Sequence, residues 1–191
     1  TVSPALHDRG PGGSRAFEMK FLLDEDLAQA VARLLQPAFL PDPHADPALD
    51  GAYAITTLYC DTPQRDVFLR QGTYKFRKFR VRRYGGESIV YLERKDKRGE
   101  RVRKRRASVP DGELIHLESA AAETAWPGSW FQAQLLSRRL QPVCRVHYLR
   151  HAFVGGSDDA PLRLTFDRQL HGELALDWQI QAPPEIGRAH V

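Results

Sequence analysis

Residues 76–106, FRKFRVRRYGGESIVYLERKDKRGERVRKRR, restrict the fold more than any other stretch. Apolar and charged side chains alternate along it, and the runs break at Gly85-Gly86 and again at Lys97-Arg98-Gly99. A period of two is the mark of a β-strand, and short glycine-containing breaks between such runs mark hairpins. The stretch therefore predicts three consecutive antiparallel strands. Phe79 and Val81 alternate with Arg80 and Arg82; Val90 and Leu92 alternate with Tyr91, Glu93 and Lys95; Lys104 and Arg106 share a face with Val102. One face of this meander is apolar, and the other carries Arg80, Arg82, Glu93, Lys95 and Lys104.

A charged sheet face is ordinarily a solvated one. Here the charges are mostly of one sign, and like charges opposite one another across strands destabilise a sheet. At about 7 Å and an effective dielectric near 20, each such pair costs roughly 2 kcal/mol. A face that gathers cations against its own stability implies an anion that neutralises them. The net charge of +4 and isoelectric point near 9.2 agree with a phosphate-rich ligand, nucleic acid or an acidic membrane surface. Nucleic-acid binding is disfavoured. Its usual signs are cations interleaved with exposed aromatics or a recognition helix, whereas these cations alternate within strands.

The remaining chain predicts more strands and a few helices. Residues 15–22 (RAFEMKFL) alternate as a strand, with Glu18 and Lys20 on one face. Asp24 reads as a helix N-cap, followed by a stripe of Leu27, Val31, Leu34 and Leu35 up to Gln36. Pro37, Pro41, Pro43 and Pro47 predict a loop. Residues 53–61 (YAITTLYCD) are β-branched and aromatic, hence a strand, and residues 64–71 a short helix or turn. Residues 111–124 and 129–140 read as helical, with Trp130, Leu135, Leu136 and Leu140 packing on a sheet exterior. Residues 143–154 and 162–170 return to strand, joined by a turn at Gly155-Gly156 and Asp158-Asp159, and residues 175–181 are a weaker strand candidate. Arg145 and His147 share one strand face. Cys60 and Cys144 read as free thiols. No run approaches 18 apolar residues, and the first residues lack the apolar segment of a signal peptide, so a cytoplasmic location is expected. Six or more antiparallel strands, several with one apolar and one charged face, predict a sheet closed on itself around a polar interior.

Taken in order, RAFEMKF, TLYCDTP, RVRRY, YLERK, RKRR, CRVHYLRHAF and RLTFD resemble the VTC (vacuolar transporter chaperone) domain, the polyphosphate polymerase branch of the triphosphate tunnel metalloenzymes. The resemblance implies an α+β fold: an antiparallel β-barrel, the triphosphate tunnel, with a basic interior and helices packed outside. It implies binding of ATP and polyphosphate and transfer of the γ-phosphate onto a polyphosphate chain. The phosphate-contacting residues would be Lys20, Arg80, Arg82, Lys95, Lys104, Arg145 and Arg163. Glu18, Glu93 and Asp167 would orient these cations or help to hold Mn2+ or Mg2+. Tyr59 and Tyr148 match aromatic positions of the family motifs. The wider superfamily opens on Glu-x-Glu-x-Lys; here the first Glu position is Ala16, which fits the VTC branch better. No Leu-Glu-Leu-Lys strand follows Leu170, so the last strand is expected to be missing. Activity is then expected of the full-length parent, while this chain can be inactive for want of that Glu and Lys. The expected layout is a flexible lead-in at 1–14, the tunnel domain at 15–181, and a non-native or disordered tail at 182–191. Residues 186–191 (IGRAHV) resemble a translated sequencing adapter, with natural sequence ending near Pro184 or Glu185. A non-catalytic module for polyphosphate or inositol phosphates, and a triphosphate hydrolase, are the alternatives.

Overall fold

The computed structural model describes residues 16–35, 38–98, 101–121, 124–157 and 160–181. The expectations for the lead-in at 1–14, Arg15, Gln36, Pro37, Gly99, the Asp158-Asp159 turn and the tail at 182–191 lie outside them. The strands are β1 (Ala16–Phe17), β2 (Phe39–Pro41), β3 (Tyr53–Asp61), β4 (Arg77–Tyr84), β5 (Ile89–Arg98), β6 (Arg101–Pro110), β7 (Gln141–Gly156) and β8 (Pro161–Leu174). Two α-helices, α1 (Glu25–Leu35) and α2 (Ser129–Arg138), and 3₁₀ segments at Pro47–Leu49, Gly72–Tyr74 and Asp111–Glu118 join them. All strand pairs are antiparallel, in the order β1-β6-β5-β4-β3-β7-β2, with β8 also against β7. The sheet is curled, and among the described residues its end strands β1 and β8 do not pair with each other.

The meander forms as its alternation predicts. Gly85 takes φ 51° in the first hairpin turn. Farther on, Gly156 takes φ 87°, and a β-carbon there would fall 2.3 Å from the Ala160 carbonyl oxygen, so only glycine fits the turn into β8.

The apolar core lies on the outer face. Leu58, Cys60, Phe79, Val81, Val90, Leu92 and Val109 from the sheet pack against Leu114, Leu117, Trp126, Phe131, Leu135 and Leu140. Each fully buried large side chain contributes about 1.5–3 kcal/mol. Helix α2 and the 3₁₀ segment at Asp111–Glu118 cover the outer face, and the opposite face carries the charged residues beside a second buried cluster of Tyr53, Ile55, Tyr84, Tyr148 and Ala152.

Several local expectations are corrected. The first strand ends at Phe17 rather than Leu22, opposite Arg101 of β6. Met19, Phe21 and Leu22 are exposed. In α1, Asp24 caps as predicted, accepting from the Leu27 amide at 2.8 Å, but Leu27 and Leu34 face solvent and Ala28 is the buried position. The proline-rich loop contains β2, a short strand against β7; it ends at Pro41, a place where a missing N–H costs little. Residues 64–71 form turns, one of the two forms expected, whereas 111–118 is a 3₁₀ rather than an α-helix, Leu136 is exposed, and 175–181 is irregular. Both cysteines are free, Cys60 buried and Cys144 partly so. No helix among the described residues is long and apolar enough to cross a membrane.

Candidate functional site

Strand register alone assembles the inner face into rows. Tyr59, Arg80, Glu93 and Arg106 lie side by side across β3, β4, β5 and β6. Thr57, Arg82, Tyr91 and Ser108 form the next row, and Lys78, Lys95 and Lys104 the row on the other side. Directly opposed residues of an antiparallel pair share a face at about 4.5–5.5 Å, so the cations are forced together by the same pairing that sorts the apolar residues outward.

Glu93 is the hub. Its side chain is fully buried, accepting from Arg80 Nε at 2.6 Å and Arg106 Nε at 2.7 Å, with Lys104 Nζ at 3.6 Å. Burial pushes its carboxyl up, but Arg80, Arg106, Arg82 and Lys104 together hold it far below the usual carboxylate range. Arg106 also lies 4.3 Å over the Tyr91 ring and donates to the Tyr84 hydroxyl at 3.2 Å. The buried Arg82 donates to Thr57 Oγ1 at 3.1 Å. Burial lowers the Lys104 and Lys95 ammonium groups below an ordinary lysine; Glu93 and Glu18 respectively oppose this without cancelling it.

Two flanks extend the face. On one, Glu18 pairs with Lys95, and with the exposed Lys20 at 3.6 Å. On the other, Arg150 holds Asp167 through two bonds of 2.6 and 2.7 Å and lies 5.3 Å over Tyr148. Arg163 there bonds Asp42 at 2.8 Å and the Tyr53 hydroxyl at 2.9 Å. Tyr59 and Tyr148 both lie on this inner face by register.

Of the expected phosphate ligands, Arg80, Arg82, Lys95 and Lys104 converge, Arg163 sits at the far flank and Lys20 at the near margin. Arg145 does not join them, and its placement is a correction. It is registered opposite Leu58 on the outer face, where it bonds Glu173 and Asp177 at 2.7 Å each and the Gln179 carbonyl at 2.8 Å. His147 beside it is buried against Thr56 Oγ1 at 3.0 Å. Arg145 therefore ties the segment after β8 to the sheet. Replacing Arg145 with Ala is expected to lower the melting temperature by a few degrees and to leave polyphosphate affinity within about twofold of wild type, as titration calorimetry would show.

Lys78, Arg106 and Arg150 are inner-face cations outside the expected ligand set. All three were readable: Lys78 has the strand parity of Arg80, Arg106 that of Lys104, and Arg150 that of Tyr148.

The acidic residues do not fit a divalent-ion centre. Glu93 is enclosed by cations, Asp167 is taken up by Arg150, and Glu18 by Lys95 and Lys20. They lie on β5, on β8 and just past β1, and among the described residues no three His, Cys, Asp or Glu side chains gather as metal ligands. Their contacts instead orient cations. A cavity of about 460 Å³ lies elsewhere, lined by Arg83, Asp111, Leu114, Ile115, Trp178 and Ile180, and contains none of the convergent cations.

A profile of the VTC domain matches residues 15–183, nearly the whole chain. The chain belongs to the VTC domain family. Its curled antiparallel sheet, open between β1 and β8 among the described residues, carries a basic inner face with helices outside, an α+β arrangement. Among solved structures, an adenylyl cyclase candidate from Hippeastrum, described as having a dominant triphosphatase activity, is similar at 10% identity. The match covers 82% of this VTC chain and 77% of that protein with a TM-score of 0.39, a likeness too low to carry an argument. No curated protein matches the chain significantly.

Proposed function

We propose that the inner face binds the phosphates of ATP and of linear polyphosphate, and that the VTC protein transfers the γ-phosphate of ATP onto a polyphosphate chain. One observation carries the binding: Arg80, Arg82, Lys104 and Arg106 crowd around the single carboxylate Glu93, leaving four cations against one anion in a half-buried setting. Phosphate oxygens relieve that imbalance. Arginine forks suit bidentate phosphate contacts, and phosphoryl transfer needs positioning and charge neutralisation more than covalent help. The two arginines would hold the transferred group while Lys95 and Lys104 neutralise the chain. A divalent ion, Mg2+ or Mn2+, would arrive with the triphosphate as part of the substrate.

A second reading, a binding module without turnover, is favoured by the engagement of Glu18, Glu93 and Asp167 with cations, which leaves none of the three placed to activate an acceptor or a water. Incubation with ATP and Mn2+, followed by gel separation of the products, decides. Long polyphosphate supports the polymerase, free phosphate alone a triphosphate hydrolase, and saturable polyphosphate binding without turnover the module. Absence of any binding ends all three.

The lysines give a pH signature. Their lowered pKa values in the free protein must rise when an anion binds, because the anion favours the charged form. Affinity is therefore full below the free-protein pKa of these lysines and is lost as pH rises from there through their higher pKa in the complex. Titration calorimetry at pH 9 in buffers of different ionisation enthalpy should show net proton uptake on binding, reduced in Lys104→Met.

A further inference from the structure

We propose that the loop joining β3 to β4 docks this protein on an anionic lipid surface, an interaction separate from the phosphate-binding face. The loop is built to hold its shape. Asp61, buried at the end of β3, accepts from the backbone amides of Thr62, Val67 and Phe68 at 2.7, 2.8 and 2.9 Å. Thr62 Oγ1 donates to Asp66 at 2.8 Å. Val67 and Tyr74 pack against the outer core. Arg65 and Arg70 take φ 61° and 55°, a conformation that residues with a β-carbon adopt only where their surroundings over-determine it.

This scaffold presents what a folded chain ordinarily hides. Phe68 is 76% exposed, Leu69 53% and Phe76 46%. The cations Arg65, Arg70 and Lys75 are exposed around them, and Arg138 of α2 lies 5.7 Å over Tyr74. The loop's one acidic side chain at 62–76, Asp66, is engaged by Thr62. Apolar side chains held rigidly among cations match the chemistry of a negatively charged bilayer interface. Phenylalanine and leucine enter the acyl boundary while arginine and lysine meet the headgroups. Charge complementarity therefore selects an anionic membrane as the occupant. The loop runs directly into β4, whose Lys78 lies beside Lys95, so docking would hold that end of the basic face next to the lipid.

The whole chain would be sedimented with phosphatidylcholine vesicles and with vesicles containing phosphatidylserine. Binding to the anionic vesicles alone is expected, weakened at least tenfold by Phe68→Ser with Leu69→Ser and severalfold by Arg65→Gln with Arg70→Gln. Saturating polyphosphate should leave most of it in place. The serine variant should keep the wild-type melting temperature and polyphosphate affinity. Absence of vesicle binding would overturn the proposal. So would vesicle binding that ignores the serine pair and vanishes with Arg80→Ala and Arg82→Ala, since the groove would then be reading headgroups. Loss in the serine variant of a concentration-dependent dimer, without vesicle binding, would assign the loop to a second copy instead. A protein that docks on vesicles yet binds no polyphosphate would contradict the proposed function and leave this inference standing.

Discussion

Replacing Arg80 and Arg82 together with alanine is expected to weaken polyphosphate binding more than about 100-fold. Each arginine supplies charge-assisted hydrogen bonds worth about 1.5–3 kcal/mol, so losing two removes roughly 3–6 kcal/mol. The residues occupy adjacent inward positions of β4 and sit in the middle of the face, between the Lys104 row and Tyr84. Stability should respond differently. Arg80 bonds the buried Glu93 carboxylate at 2.6 Å and Arg82 donates to Thr57, so the substitutions also cost some stability, limited because Arg106 and Lys104 still neutralise the carboxylate. A cooperative melt lowered by several degrees, together with binding lost far beyond that by titration calorimetry, is the expected pair of results. A cooperative fold that still binds tightly would show that the anion sits elsewhere.

Replacing Glu93 with Gln should have the reverse profile. Removing one partner from a buried ionic cluster leaves charges uncompensated and costs about 3–5 kcal/mol. At about 2–4 °C per kcal/mol for a chain of this size, the melting temperature should fall by roughly 6–20 °C. Polyphosphate at 100 times its dissociation constant would return about 2.7 kcal/mol by mass action. The same carboxylate gives wild type a pH dependence of definite sign. Its folded pKa lies below the unfolded value of about 4.3, so its contribution is complete above that value and is lost as pH falls through it toward the folded pKa. Urea melts at pH 7 and pH 3 should show wild type losing stability and Glu93→Gln losing clearly less. Equal losses would mean that Glu93 is not the group responsible.

What could be read from residues alone was whatever a period of two or a cap encodes. The alternation in β4–β6 revealed which side chains travel together, and Asp24 marked the start of α1. Alternation is silent, however, about which side of a strand faces inward. In β7, Arg145 and His147 alternate with Cys144, Val146 and Tyr148, the same pattern as the charged face of β4, and only the pairing with Leu58 places Arg145 on the outer side. Partner-dependent features were equally hidden. β2 exists because β7 is long enough to pair with it beyond β3. Asp61 looked like the end of a strand; its grip on three amides depends on the path of residues 62–68.

The oily layer stands behind the sheet rather than within it, and this has a mechanical consequence. Phe131 and Leu135 belong to the same buried cluster as Leu92 and Val81, whose immediate neighbours along the strands are Glu93 and Arg80. Enlarging or trimming those two hydrophobes would flex the sheet and change the gauge of the groove on its other side. Selectivity among anions of different girth could then be tuned by substitutions that never touch the bound molecule.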